Sequence, residues 1–267
     1  MTPPSDNEHV PTAMSADAVM EVFERAADAV AEVLASTSDW GPSGLRHSQY
    51  AFDVTADDAC RAVLHGAGLA VLSEESGVTA PDGSTVSADR PVVVVDPVDG
   101  STNASRQVPW YATALCLVVN GAPQVALVAN HASGHRWRAI AGGGATRDGV
   151  PISSSGCAEM RQAIVAMSGL PSHHYGWAQF RVLGASAPDM CLVADGTLDA
   201  WCDMNNGGHG VWDYAASVLI CTEAGAVVGE VEGRDLIHLD HTARRSPMVA
   251  ASADLLEVLA EHRRRGR

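Results

Sequence analysis

A chain of 267 residues with a formal charge of −15, 46% apolar and 18% charged, can bury the core of one large domain or two closely packed halves. Its acidity speaks against nucleic acid, whose phosphates need a basic surface. No apolar run approaches the roughly 18 residues of a membrane span, and "MTPPSDNEHVPT" lacks the basic start and apolar centre of a signal peptide.

Residues 1–14 read as a disordered lead. From Ser15, an N-cap, apolar residues recur at Val19, Val22, Phe23, Ala26, Val30, Val33 and Leu34, which predicts a helix. A second helix is expected from near Asp57 to Gly66, then a short strand, Leu69 to Leu72, closed by two glutamates. Val92 to Val95 reads as a buried strand. Tyr111–Val119 and Gln124–Ala129 flank Asn120-Gly121 and should pair as a hairpin. "HRWRAIAGGGATRDG" continues the sheet.

Beyond Val150 helices and strands alternate: strand Ala163–Met167, helix Ala187–Ala194, strand Leu198–Met204, helix Trp212–Ala224, strand Met248–Ala251, helix Leu255–His262. The expectation is an α+β half over 15–150 and an α/β half over 151–267. The six cysteines form no C-x-x-C pair, and Cys116, Cys191 and Cys221 fall in apolar runs, as buried thiols in a reducing cytoplasm do. The terminal "RRRGR" reads as a solvated tail.

Chemistry concentrates in "VVVVDPVDGSTN", where a core strand ends in Asp96 and Asp99. Mg²⁺ takes hard oxygen ligands at the ends of rigid elements, which suits both carboxylates, and the Val98 carbonyl can point inward as a further oxygen. Gly100 lets the backbone bend before a helix start at Ser101-Thr102, whose free N–H groups suit an anion. Alone, the segment reads equally well as a turn with a capping Asp. Glu74 and Glu75 of "LSEESG" could be a solvated loop, and Asp213 of "GVWDYAASVLICTEAGA" a first-turn helix charge. Together the three segments point to a cation site.

Those three segments, in that order, resemble the signatures of the inositol monophosphatase family of Mg²⁺-dependent phosphatases. "LSEESG" is similar to its Gly-Glu-Glu segment, and "DPVDGSTN" to its Asp-Pro-Ile-Asp-Gly-Thr-Thr-Asn. "WDYAASVLICTEAGA" resembles its Trp-Asp-x-Ala-Ala-Gly…Glu-Ala-Gly-Gly. "FDVTADD", "RAIAGGGATRDGVPI" and "GASAPDMCLVADGTLDAW" match further. The resemblance implies a layered αβαβα sandwich, a homodimer, and two to three Mg²⁺ ions per active site.

By the same resemblance Glu74, Asp96 and the Val98 carbonyl should hold one metal, and Asp96, Asp99 and Asp213 a second. Glu74 would also reach a third, with Glu75 close by. Ser101 stands where the family has a water-orienting threonine, and Asp58 (Asp57 if the register slips) is its aspartate partner. The expected catalytic residues are thus Asp58, Ser101 and Glu75. Gly100, Ser101 and Thr102 should cradle the phosphate, while Gly184, Ala185, Ser186 and Asp203 line the substrate pocket. Ala104 departs from a family phenylalanine, Asp203 from a glutamate, and "NNGGHG" lengthens the segment before the Trp-Asp pair. His209 and Arg106 are further candidates for substrate contacts.

The function implied is hydrolysis of a small phosphate monoester by metal-activated water without a phosphoenzyme, inositol-1-phosphate leading over fructose-1,6-bisphosphate and histidinol phosphate. The reading from another class is a regulatory or RNA-linked binding partner.

Overall fold

The structure, a computed structural model, describes residues 14–45, 49–86 and 90–265. The expected lead, Met14 apart, lies outside the described residues. Helix α1, Ala16–Ser36, starts where Ser15 accepts a hydrogen bond from the Ala18 N–H at 3.2 Å. Helix α2, Ala51–Gly66, begins well before the expected Asp57. The reason lies inside the helix: Asp53 reaches back to accept the Tyr50 N–H at 2.9 Å, so no serine or threonine need precede it.

The first sheet holds β1 (Ala70–Ser73), β2 (Gly77–Thr79), β3 (Val92–Asp99), β4 (Ala112–Val119), β5 (Ala122–Asn130), β6 (Arg136–Ile140), β7 (Ala145–Arg147) and β8 (Val150–Pro151). Its order is β2-β1-β3-β4-β5-β6-β7-β8, parallel only between β1 and β3. The Asn120-Gly121 turn joins β4 to β5 with φ of 50° and 74°, the two positive values a two-residue hairpin loop needs. The short helix α3, Ser101–Ser105, follows β3.

The second sheet holds β9 (Ile164–Ser168), β10 (Gln179–Arg181), β11 (Ala200–Asp203), β12 (Val227–Glu230) and β13 (Pro247–Ala250), in the order β10-β9-β11-β13-β12. Helices α4 (Ser186–Ala194), α5 (Ala215–Glu223) and α6 (Ala253–Arg265) complete the chain. The expected helix from Trp212 is broken in two: a 3₁₀ turn covers Val211–Asp213, and α5 starts after Tyr214, whose φ of −143° is not helical.

Packing explains the valine run. Val93 and Val95 face α1 and α2 with Phe23 and Phe52, while Val92 and Val94 face α4 and α5 with Met190 and Ile220. A strand covered on both faces shows no polar alternation. Trp201 and Val249 reach α4 and α5 from the second sheet, whose far face packs Met167 and Cys202 on Leu255 and Leu259 of α6. The layers are therefore α1–α2, first sheet, α4–α5, second sheet, α6. No described helix is long and apolar enough to cross a membrane.

Phe23 is wholly buried between α1 and the first sheet. Phe23→Ala should lower unfolding stability by about 3–5 kcal/mol in a denaturant titration. A loss under about 1 kcal/mol would mean the layer repacks around the cavity.

Candidate active site

The site forms where the ends of β1 and β3 meet the segment entering α5. Along a flat strand Asp96 and Asp99 would point to opposite faces. They pair instead with Ala114 and Ala112, two residues apart on β4 and both in the core facing α4–α5, because the register shifts between them. This one-residue bulge turns both carboxylates the same way. Its centre is Pro97, which has no N–H to pair and whose carbonyl accepts the Thr113 hydroxyl at 2.7 Å.

Gly100 then turns the chain with φ of 90°, and a Cβ there would lie 2.9 Å from Ala185 and 3.0 Å from the Trp110 carbonyl. Only glycine fits this left-handed, closely packed position.

Oxygens of Glu74, Asp96 and Asp213 come within 4.8 Å of one another. Burial, then the neighbouring acids, push the Glu74 and Asp96 carboxyls well above the ordinary carboxylate range. Asp99 is pushed up to about 7 by burial first and Asp213 second. Its Oδ2 accepts the Ala187 N–H at 2.5 Å, which ties the end of β3 to the start of α4. Asp213 Oδ2 accepts the Gly210 N–H at 2.9 Å. A partly buried knot of carboxylate oxygens with raised proton affinity is the donor set of a hard divalent cation, and the residues fit such an ion.

Beside this cluster the Ser101 hydroxyl donates to Asp53 Oδ1 at 2.8 Å, with the Val98 carbonyl 2.7 Å away as its alternative acceptor. Asp58 is not its partner: that side chain is 64% exposed and pairs with Arg61. Asp57 is buried but accepts from Ser73 at 2.5 Å. Asp53 stands on the first turn of α2, facing the site, whereas position 58 faces water; the late helix start expected from sequence hid this. Glu75 pairs with the Gln49 amide, outside the three-carboxylate group. Thr102 accepts from the Tyr50 hydroxyl at 3.3 Å.

The second half closes the site. A cleft of about 320 Å³ is lined by Asp99, Gly184, Ala185, Ser186, His209 and Asp213, among others. His209 Nδ1 lies 3.1 Å from Asp213, and Nε2 lies 3.6 Å from Asp203, an electrostatic contact too long for a hydrogen bond. Burial alone would lower the His209 pKa, but the two carboxylates outweigh it and raise it to about 10. Burial likewise works to raise the carboxyl of Asp203, yet His209 holds it below the usual range.

Sequence reasoning missed Asp189, buried in the first turn of α4 and bonded to Trp110 Nε1 at 2.6 Å; an acid among small residues at a helix start was its only signal. A larger cleft of about 420 Å³ beside Trp40 and Tyr111 carries no carboxylate. Chemistry, not size, marks the site.

The sequence model of the inositol monophosphatase family matches residues 18–266. A fructose-1,6-bisphosphatase/inositol-1-monophosphatase of Archaeoglobus fulgidus is 32% identical over 191 residues, 70% of this chain and 71% of its own. The Nus factor SuhB of Salmonella typhimurium is 27% identical over 234 residues, 80% and 86% of the two chains. Among solved structures, a Pyrococcus horikoshii protein described as having similarities to inositol-1 monophosphatase superposes with a TM-score of 0.76 at 24% identity, over 91% of this chain and 96% of that one.

Fold and acidic cluster together define a phosphoric monoester hydrolase. The chain belongs to the inositol monophosphatase family.

The acids of the cluster predict a pH dependence in metal-free protein. Groups whose folded pKa is raised hold extra protons in the native state, so stability falls as pH rises towards the folded value. Between pH 6.5 and 8, Asp99 at about 7 and His209 at about 10 act in this direction, as do the raised Glu74 and Asp96. His131, lowered to about 4 chiefly by burial, opposes them only below its ordinary 6.5. The melting temperature in EDTA should therefore drop across this window, and less steeply for Asp96→Asn. A flat or rising profile would contradict the crowding of acids.

Proposed function

We propose that the protein is a Mg²⁺-dependent phosphatase that hydrolyses a small polyol phosphate, inositol-1-phosphate first, with water as the nucleophile. The observation that carries this reading is the three-carboxylate cluster set beside the Ser101–Asp53 pair. Glu74, Asp96, Asp99 and Asp213 would hold two to three Mg²⁺ ions, and the Val98 carbonyl keeps a second lone pair with which to join them. Bound there, the ions would neutralise phosphoryl charge and make an attacking water more acidic.

The chain's own residues do the rest. With its proton given to Asp53, the Ser101 oxygen accepts from the attacking water and aims it. Asp53 is held still by the Tyr50 N–H on its other oxygen. The first amides of α3, at Ser101 and Thr102, lack intrahelical acceptors and suit phosphate oxygens, with the Gly100 N–H beside them. Gly184, Ala185 and Ser186 line the cleft that takes the leaving group, while Asp203, fully buried and outside that lining, acts there through His209, which it faces at 3.6 Å.

Among the described residues lining the cleft, His209 is the only side chain that can carry positive charge, and two carboxylates already engage it. A second phosphate would meet no arginine there, which favours a polyol monophosphate over fructose-1,6-bisphosphate. The six free cysteines support a reducing compartment, the cytoplasm. Exposed Leu170, Phe180 and Val182 near edge strand β10 support self-association as a homodimer. Likeness to a Nus factor keeps a regulatory role as the second reading.

Phosphate release from a panel of metabolite phosphates tests the proposal. Inositol-1-phosphate should be turned over, EDTA should abolish the activity and Mg²⁺ should restore it. Absence of Mg²⁺-dependent turnover across the panel would favour the regulatory role. Asp53→Asn and Ser101→Ala should each lower kcat by about 10²–10³, the usual effect of losing one positioning interaction, while Asp58→Asn leaves kcat unchanged. Equal activity of Asp53→Asn and wild type would remove Asp53 from the mechanism.

A further inference from the structure

The basic run expected to be a solvated tail is partly inside the protein. Helix α6 continues through Arg265, and Arg263 in its last turn is only 3% exposed. Arg263 Nε donates to the Asp203 carbonyl at 2.8 Å, and Nη2 to the Asn205 carbonyl at 2.5 Å and Asn206 Oδ1 at 3.2 Å. No ion pair accompanies these bonds among the described residues. Burying a guanidinium against neutral acceptors is expensive, and an apolar side chain would fill the same space more cheaply. What the guanidinium adds is direction: three bonds that fix the backbone at 203–206.

That backbone leads directly into one wall of the cleft, formed by Gly208 and His209. Ser246 pins it from another side, accepting from the Gly207 N–H at 2.8 Å and donating to the Asn205 carbonyl at 3.2 Å. Asn205 in turn rests on the adjoining wall, where its Nδ2 donates to the Ser168 carbonyl at 3.4 Å and a Cβ on Gly169 would come within 2.7 Å of its Oδ1. The residue before Arg263 touches the continuation of that second wall: the His262 ring stacks on Tyr175 at 5.0 Å and lies 3.4 Å from His173. One helical turn thus grips both segments that shape the leaving-group side, and touches none of Glu74, Asp96 or Ser101.

We propose that Arg263 is a positioning residue for substrate selection, holding the 203–209 segment so that His209, backed by the buried Asp203, meets the hydroxyls of the leaving group. It acts on the binding of polyol esters and not on the hydrolytic step, and the inference rests on the phosphatase reading above. A residue that merely docks α6 would affect every ester alike.

The test compares inositol-1-phosphate with p-nitrophenyl phosphate, whose leaving group has no hydroxyl to present, using full-length Mg²⁺-loaded enzyme. Arg263→Met should raise KM for inositol-1-phosphate about tenfold, with kcat for both esters and KM for p-nitrophenyl phosphate little changed. Arg263→Lys, whose single ammonium cannot span three acceptors, should fall between, and it carries the same comparison if the methionine variant does not fold. Parallel losses on both esters, or an unchanged KM for inositol-1-phosphate, would overturn the proposal. If wild type hydrolyses neither ester, the phosphatase reading fails and amide exchange judges the clamp. Gly207 and His209 should then exchange faster in Arg263→Lys than in wild type, with α1 unaffected, and equal protection would refute it.

Discussion

Glu74, Asp96 and Asp213 are held closer together than free carboxylates would stay. Two such charges 4 Å apart repel by about 4 kcal/mol at an effective dielectric near 20, comparable to much of a domain's net stability. The surrounding architecture reads as a frame that withstands this. Asp96 stands within a strand buried on both faces, Glu74 follows the parallel neighbour of that strand, and Asp213 sits in a 3₁₀ turn whose own Gly210 N–H restrains its carboxylate. Each acid is attached to a different rigid element, so none can swing away without disturbing a layer of core.

His209 relieves the same crowding from the other side. It stands between Asp203 and Asp213, which joins the end of β11 to the acidic cluster through one buried ring. Its own backbone is fixed by a bridge to Arg245, with N–H···O distances of 3.2 and 2.9 Å in the two directions. The chain has no lysine, so every fixed positive side chain is an arginine, and most described arginines are bonded to acids or carbonyls away from the cleft. The cluster is left with a histidine and whatever cation it binds.

Much of this was legible in the sequence because it is local. The valine run, the hairpin at Asn120-Gly121 and the acids that follow strands are written in adjacent residues, and so are the segments that carry the family likeness. What was hidden depends on distant partners. Asp53 could not be singled out while α2 was expected to begin near Asp57, because the cap that starts the helix is Asp53 itself. Arg263 looked like a solvated charge because its acceptors lie near residue 205, nearly sixty positions earlier in the chain. Strands β2, β10 and β12 are short, and the first two are poorly buried, so their patterns carried little apolar signal.

The bulge at Pro97 makes the site a matter of parity. Side chains on a strand alternate between two sides, and the extra residue is what brings Asp99 to the side of Asp96. Laying the same residues out as a regular strand, with every acid still present, would send the second carboxylate into the valine-packed layer of α1 and α2. Substitutions at Val98 alter only what is packed there, whereas loss of the bulge alters which way the chemistry faces. Descendants of this chain are therefore free to vary the letters of the segment far more than its pairing with β4.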